Sequence, residues 1–416
     1  MTTTGGRSTV EEPRLAIERR APSLWSRRRF LVVIAPLLAT VLTGAALLAL
    51  SGNFLLPFQR VITLEGKMGS KGDFFGDEEV RRILMRHHIK VHITSSGSRE
   101  VAVRNIDSYD FVFPSGQPAG DLITSERAAK NQYSKVHRPF VSPIVLATYR
   151  GYAETLRDAG IATPQRSPEP GGSLYYTLDM AKFLDLVARD GGNRWNDIGI
   201  QRHGTTNGNT VLAQTSDICR SNSAGTYLGL VAFTRNHDDV PDTEREADRL
   251  ATQIKPLLVR QGLPAADVFQ TYSSPEGKGI SPVVVAYEHQ YLAYQRRFKA
   301  RYDRVDSERV LLYPSSQFVT QPQFIALTPG GERLGELVVR DPGLRRRAME
   351  LGFRVLDPTG AVASDQLSAF LKGNGIPVPA AGSGDTKSLM PRLALLERMI
   401  SAIGDCPPAE LPEQSP

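Results

Sequence analysis

From Phe30 to Leu50 the chain runs for 21 residues without a charged side chain. As a helix rising about 1.5 Å per residue, that run spans roughly 30 Å, the thickness of a bilayer's hydrocarbon core. Arg27, Arg28 and Arg29 stand directly before it, with Arg7, Arg14, Arg19 and Arg20 further upstream. Basic flanks stay in the cytoplasm, so the pattern predicts a single-pass membrane protein with a cytoplasmic N-terminus. Everything after about Ser51 is then extracellular or periplasmic. The apolar stretch exceeds the roughly 7–15 residues of a cleavable signal peptide, which favours an anchor. Ala49-Leu-Ser51 still offers a cleavage point, so a cleaved leader remains the alternative.

The boundaries follow from composition. Residues 1–29 read as a basic cytoplasmic tail, 30–50 as a transmembrane helix and 51–59 as a linker. Residues 376–416 read as a C-terminal helix and a disordered, Pro-rich tail. Leu50-Ser-Gly-Asn53 is similar to a bacterial lipoprotein box, but Asn53 stands where the acylated cysteine would be. Without a thiol there is nothing to acylate. The first 29 residues hold seven Arg and three Glu, so they carry +4 of the net +6. The basic balance therefore speaks to membrane topology. Short runs such as Arg345-Arg-Arg347 and Arg296-Arg-Phe-Lys-Ala-Arg301 fall in helical stretches and read as solvated faces, so no nucleic-acid partner is expected.

Cys219 and Cys406 are the only cysteines. Two exclude a disulfide scaffold and a cysteine-rich zinc site, and leave room for one bridge. His88 and His92 are four apart, but Ile89–Thr94 alternates like a strand, so they do not share a helical face. Neither a metal nor a cofactor is expected.

Beyond residue 60, helical and strand patterns alternate. Helices are expected at 77–88, 98–106, 152–158, 178–188, 222–233, 244–261, 287–298, 342–351 and 389–403. Strands are expected at 89–94, 109–113, 143–148, 210–214, 282–286, 310–313 and 324–327. The alternation implies an α/β fold with parallel-type sheets covered on both faces.

Three Ser-rich turns each separate a strand from a helix. Thr94-Ser-Ser-Gly-Ser98 follows the first strand. There Gly97 permits a tight turn and Ser98 can cap the next helix. Free N–H groups and the helix dipole make such a turn an anion site or simply a capped helix. Gln214-Thr-Ser-Asp217 with Ser221-Asn-Ser223-Ala-Gly225 repeats the construction. Asp217 there either accepts from a ligand or fixes the loop. Ser281-Pro282 leads through an apolar strand to Tyr287 and Glu288, and Ser142-Pro143 starts another such strand.

Taken in order, Ser96-Gly-Ser98, Tyr109-Asp-Phe-Val-Phe-Pro-Ser115, Ser142-Pro-Ile-Val-Leu146, Thr215-Ser-Asp217, Ser221-Asn-Ser223, Ser281-Pro282, Tyr287-Glu288 and Gly352-Phe-Arg354 resemble the type II periplasmic solute-binding proteins. The likeness covers roughly residues 60–355 and is nearest to the membrane-anchored actinobacterial type. It implies two α/β lobes joined by a two-segment hinge, with crossovers near 142–148 and 281–287. Lobe I would hold 60–143 and 287–375, and lobe II 144–286. It implies a ligand site of Ser96, Gly97, Ser98, Ser142, Thr215, Asp217, Ser221, Asn222, Ser223, Tyr287 and Glu288. Such a protein captures a small polar ligand and passes it to a membrane permease. Serine and backbone donors favour an anion or oxyanion, whereas Asp217 and Glu288 would repel one unless an Arg intervenes.

Two rival classes stay in view. A ligand-free or sensory two-lobed ectodomain would dock a partner protein through an apolar patch. A secreted hydrolase would need a Ser nucleophile, a His base and an acid in contact, and the chain has no Gly-x-Ser-x-Gly elbow. The expectation is a binding protein, not an enzyme.

Overall fold

The computed structural model describes residues 36–44, 60–69, 72–97, 106–166, 172–189, 192–260, 263–264, 268–357, 359–380 and 388–406. The chain divides into two units, 1–59 and 60–416. In the first, the described part of the apolar run is helical over 36–44. Thr40 and Thr43 donate back to the carbonyls of Pro36 and Ala39, and Leu37, Leu38, Val41 and Leu42 are exposed. Among the described residues no helix is long and apolar enough to cross a membrane. The rest of the expected span, the basic tail, the 51–59 linker and the Pro-rich end from 407 lie outside the described residues.

Twelve strands are described in the second unit. They are β1 (Ile62–Met68), β2 (Ile89–Ser95), β3 (Phe111–Phe113), β4 (Lys135–His137), β5 (Phe140–Tyr149), β6 (Ala162–Pro164), β7 (Tyr175–Leu178), β8 (Val283–Tyr287), β9 (Arg309–Pro314), β10 (Val319–Thr320), β11 (Phe324–Ala326) and β12 (Arg354–Val355). They form two mixed sheets. The first runs β2-β1-β3-β11-β4, with β1, β2 and β3 parallel and β11 antiparallel to both neighbours. The second runs β10-β5-β9-β7-β6, with β8 and β12 also on β5. Around β5 every pairing is antiparallel. The all-parallel expectation fails there because β5 carries the chain out of the first sheet, and the strands laid against it run the other way.

The six helices that matter for the site are α1 (Glu78–Arg86), α2 (Gln117–Ala129), α3 (Asn222–Arg235), α4 (Glu244–Val259), α5 (Glu288–Tyr302) and α6 (Leu393–Gly404). Caps fix several of them. Asp77 accepts from the N–H groups of Glu79 and Val80, Ser221 from Ala224, and Thr243 from Glu246. Each such cap stabilises its helix by about 1 kcal/mol.

The first core is aromatic. Phe74, Phe75, Phe111, Phe113 and Phe324 are buried, and Phe111 stacks on Phe324 at 4.6 Å. Each buried Phe contributes roughly 1.5–3 kcal/mol. β1 was not legible in sequence because Gly66 and Lys67 interrupt its pattern. Gly66 is needed where the Phe111 ring lies against the strand, and any Cβ would collide with it. Lys67 is buried with its ammonium 5.7 Å over the Tyr109 ring.

The second core gathers Ile144 to Ile403, including Leu367, Leu371 and the apolar face of α6. This moves the expected crossover. β8 and β9 both pair with β5, and the chain rejoins the first sheet only at β11. The outgoing and returning segments lie side by side, Ser142 opposite Thr320 and Pro143 opposite Val319. Residues 287–314 and 364–376, expected in lobe I, therefore pack with the second core. Residues 210–214, expected as a strand, make only isolated bridges at Thr210 and Gln214, since Gln214 alone meets β8.

At this junction Glu288 is wholly buried and held by Arg354 through two 2.7 Å contacts, with Tyr313 donating a third hydrogen bond at 2.7 Å. Removing one partner of a buried pair strands the other charge, at a cost of about 3–5 kcal/mol. Arg354→Met should lower the urea unfolding free energy by that amount, and the Arg354→Met, Glu288→Leu double variant should recover most of it. A single-variant loss below about 1 kcal/mol would show that the pair does not hold the junction.

His137 on β4 has its ring 6.1 Å from that of Phe324. Burial, reinforced by Lys135, holds its imidazole below the ordinary value of 6.5. The folded state thus disfavours the proton, so stability is full above about pH 6.5 and falls as pH drops below it, levelling off under the folded value. Between about pH 7.5 and 5.5 the urea midpoint should fall further in the native sequence than in His137→Gln. Equal falls would assign the loss to other groups.

Candidate functional site

The site is a cavity of about 850 Å³ between the carboxyl ends of the first sheet's strands and the loop that opens α3. Ser95, Ser96 and Gly97 reach it from the end of β2, and Ser115 from the end of β3. Ser216, Asp217, Arg220, Ser221, Asn222 and Ser223 line it from the opposite side, with Tyr287 from β8 and Gln290 and Arg297 from α5. α1 adds Arg81 and its cap Asp77, and Asp73 stands nearby. Ends of strands and starts of helices meet here, which is where α/β sheets leave backbone groups free for ligands.

The two sides touch. A Cβ on Gly97 would lie 2.5 Å from the carbonyl oxygen of Arg220, so only glycine lets these rims approach. Asn222, buried at the start of α3, accepts from the Ala119 N–H of α2 at 3.3 Å. Its amide nitrogen donates to Thr226 and to the Tyr287 hydroxyl, both at 3.3 Å. Gly116, the N-cap of α2, is small because Asn222 and Thr320 press against it. The N-termini of α2 and α3 thus meet through one asparagine.

Of the eleven expected residues, Ser96, Gly97, Asp217, Ser221, Asn222, Ser223 and Tyr287 line the cavity. Ser98 lies outside the described residues. Three others are not on its wall. Glu288 is enclosed with Arg354 and Tyr313. Ser142 is buried, accepting from the His289 N–H at 3.2 Å with His289 Nδ1 3.0 Å away. Thr215 is 1 % exposed and makes no hydrogen bond through its hydroxyl. All three are buried, Glu288 at 0 %, Ser142 at 1 % and Thr215 at 1 % exposure, and so lie behind the cavity wall.

Asp217 fixes the loop, accepting from the Cys219 N–H at 2.9 Å while its carbonyl accepts from Arg220 and Ser221. Cys219 is bonded to Cys406 with Cα atoms 5.5 Å apart, which staples this loop to the end of α6. Closing a loop of 187 residues stabilises the fold by roughly 2–5 kcal/mol. Ser221 and Ser223 share a 2.8 Å hydrogen bond at the start of α3.

Carboxylates and guanidinium groups share the wall of the cavity. Burial by itself raises the Asp77 carboxyl, but hydrogen bonds from Arg347 and from the Val80 N–H outweigh it and hold its pKa low. Arg347 grips both oxygens at 2.8 and 2.6 Å. Arg354 likewise answers Glu288, so the carboxylate that argued against an anion is compensated. Arg81, Arg220 and Arg297 add positive charge to the wall.

Sequence reasoning missed Asp73, Asp77, Arg81, Ser115, Arg220, Gln270, Gln290 and Arg297. Ser115 ended a quoted motif and could have been found. Arg297 was inside a basic run read as a solvated face. Gln270 and Gln290 carried no local signal. Among the described residues no group of three or more His, Cys, Asp or Glu is placed to hold a metal ion.

No protein-family model matches the chain, and neither does any curated protein. Solved structures of similar shape include the sulfate-binding protein SubI from Mycobacterium tuberculosis H37Rv, 15 % identical over 76 % of this chain and 92 % of that one, at a TM-score of 0.41. The periplasmic binding protein AfuA from Actinobacillus pleuropneumoniae, with fructose-6-phosphate bound, is 9 % identical over 70 % and 82 %, at 0.42. The substrate-binding protein of an ABC transporter from Agrobacterium tumefaciens is 12 % identical over 84 % and 95 %, at 0.48. These are distant likenesses, and the geometry of the cavity stands independently of them.

Proposed function

We propose that this protein is an extracytoplasmic solute-binding protein of the type II two-lobed kind, anchored by residues 30–50. It captures a small polar ligand, an anion by preference, and delivers it to a membrane transport partner. The observation that carries this reading is a polar cavity whose two sides meet at its rim, Gly97 against Arg220 and Asn222 against Ala119. Enclosure by two bodies removes a ligand from water and pairs its polar atoms from both sides. Two of the chain's passages between the sheets, at Ser142 and Thr320, lie side by side, which supports a hinge there, and a third runs between β12 and residue 364. The basic flank and uncharged run at the N-terminus support the anchor and the outward-facing placement.

The hydrolase reading has one geometric lead, Ser142 beside His289. That pair is buried, with His289 stacked on Phe353 at 4.0 Å, and neither residue lines the cavity. It is a junction contact.

Native mass spectrometry of the gently purified protein should show a discrete small-molecule mass that is lost after unfolding and refolding. Ser96→Ala combined with Ser221→Ala should weaken capture of that molecule at least about tenfold, with a stability loss of only about 1 kcal/mol from the cap. Unchanged affinity would remove these serines from the site. Gly97→Val should hold the rims apart, weakening ligand binding and enlarging the radius of gyration in solution scattering. An unaltered radius and affinity would show that closure does not depend on the Gly97–Arg220 approach.

A further inference from the structure

The bridge between Cys219 and Cys406 ties one wall of the cavity to a helix that is docked without it. Leu395, Leu396, Met399, Ile400 and Ile403 of α6 are buried in the second core. Arg398 bonds both oxygens of Asp248 on α4 at 2.7 and 2.8 Å, and Lys255 holds Asp405 at 2.9 and 3.0 Å. The loop at the other end of the bridge has less to hold it. From Thr215 to Ser221 it forms neither helix nor strand, and among residues 216–221 only Ile218 is buried. The N–H groups of Cys219, Arg220 and Ser221 all donate to Asp217, within the loop itself. Yet this loop is the rim. Ser216, Asp217, Arg220 and Ser221 line the cavity, and the carbonyl of Arg220 meets Gly97 on the opposite side. A Cβ on Gly404 would lie 2.5 Å from Ile218, 2.7 Å from the Cys406 sulfur and 2.9 Å from the Cys219 sulfur. The end of α6, the bridge and the loop's buried side chain therefore close on one point. Both cysteines are only partly buried, at the edge of the second core.

We infer that the Cys219–Cys406 bridge is a redox latch on the cavity rim. Closed, it fixes the loop that meets Gly97; opened by a dithiol, it frees that loop while α6 and both cores keep their places. The step is thiol–disulfide exchange. One thiolate of the dithiol attacks a bridge sulfur and breaks the S–S bond, and the second resolves the mixed disulfide. Two electrons and two protons pass to Cys219 and Cys406, and the dithiol closes to its own disulfide. The bridge also closes a ring of 187 residues, which stabilises the fold as a whole through the unfolded chain. Order in the rim is a separate, local quantity. Its consequence for capture rests on the proposed function: an ordered wall loses less entropy on binding, so the oxidised protein binds more tightly than the reduced one.

The test is amide hydrogen exchange of the full-length protein with and without excess dithiothreitol, at labelling times too short for global unfolding to register. Reduction should speed exchange at Asp217, Cys219, Arg220 and Ser221 at least about tenfold, while α4, α6 and β8 stay protected in both forms. Reoxidation should restore slow exchange in the rim. Cys219→Ser combined with Cys406→Ser should reproduce the reduced pattern with no dithiol present, and the reduced native chain gives the same reading if that variant does not fold. A rim equally protected in both forms would overturn the inference, because the loop would then be ordered by its own bonds. Protection lost from α6 and β8 together with the rim would overturn it too, making the bridge a staple of the whole fold. So would thiols that dithiothreitol fails to release in the folded protein. Exchange in the rim is read without any bound molecule, so the absence of a co-purifying mass would sink solute capture and leave the latch to these outcomes.

Discussion

The buried pair of Glu288 and Arg354 joins three pieces of chain that are far apart in sequence. Glu288 opens α5, Arg354 lies on β12, and Tyr313 on β9 completes the set. β12 is itself paired with the first residues of β5, Phe140 and Val141. The pair therefore sits where the chain passes between the two sheets, and it fixes α5 against that crossing. Around it Phe353 stacks on Phe140 at 4.0 Å on one face and on His289 at 4.0 Å on the other. A buried ion pair gives little net stability compared with apolar residues of the same shape, but it tolerates no misplacement of either partner. Its effect is positional: Tyr287 and Gln290, one residue before and two after Glu288, reach the cavity because Glu288 itself is held inward.

The electrostatics of the cavity follow from the same economy of pairing. Three carboxylates at or near the site have partners of their own. Arg347 reaches Asp77 from the helix at 342–350, Arg354 reaches Glu288 from β12, and the Asp217 loop folds its own N–H groups onto the side chain. The wall itself carries Arg81, Arg220 and Arg297 against Asp73, Asp77 and Asp217, and Arg347 adds a further positive charge beside Asp77.

Much of this was legible in the sequence where local pattern decides structure. The helix after Asp77, the strand 89–95, the α3 start at Asn222 and the strand before Tyr287 appear where period and capping chemistry place them. The serines of the three turns were visible because strand ends and helix starts are local events. What escaped was set by distant packing. Gly66 makes sense only once Phe111 lies on it, and Gly116 only once Asn222 arrives from the start of α3. Glu288 looked like a cleft residue because the strand before it ends there. Its partner, 66 residues on, turned it into a structural one.

The loop from Thr215 to Ser223 shows how far a flexible-looking segment can be constrained without regular structure. Asp217 ties it to its own backbone, Gln214 bridges it to β8, and Cys219 fastens it to α6 through Cys406. α6 in turn packs along α4, and Lys255 of α4 bonds both oxygens of Asp405 just before the disulfide. The rim that meets Gly97 is therefore held from behind by a helix pair and a covalent link. A rim held in this way is ordered before any ligand arrives, and a pre-ordered wall loses little entropy on binding.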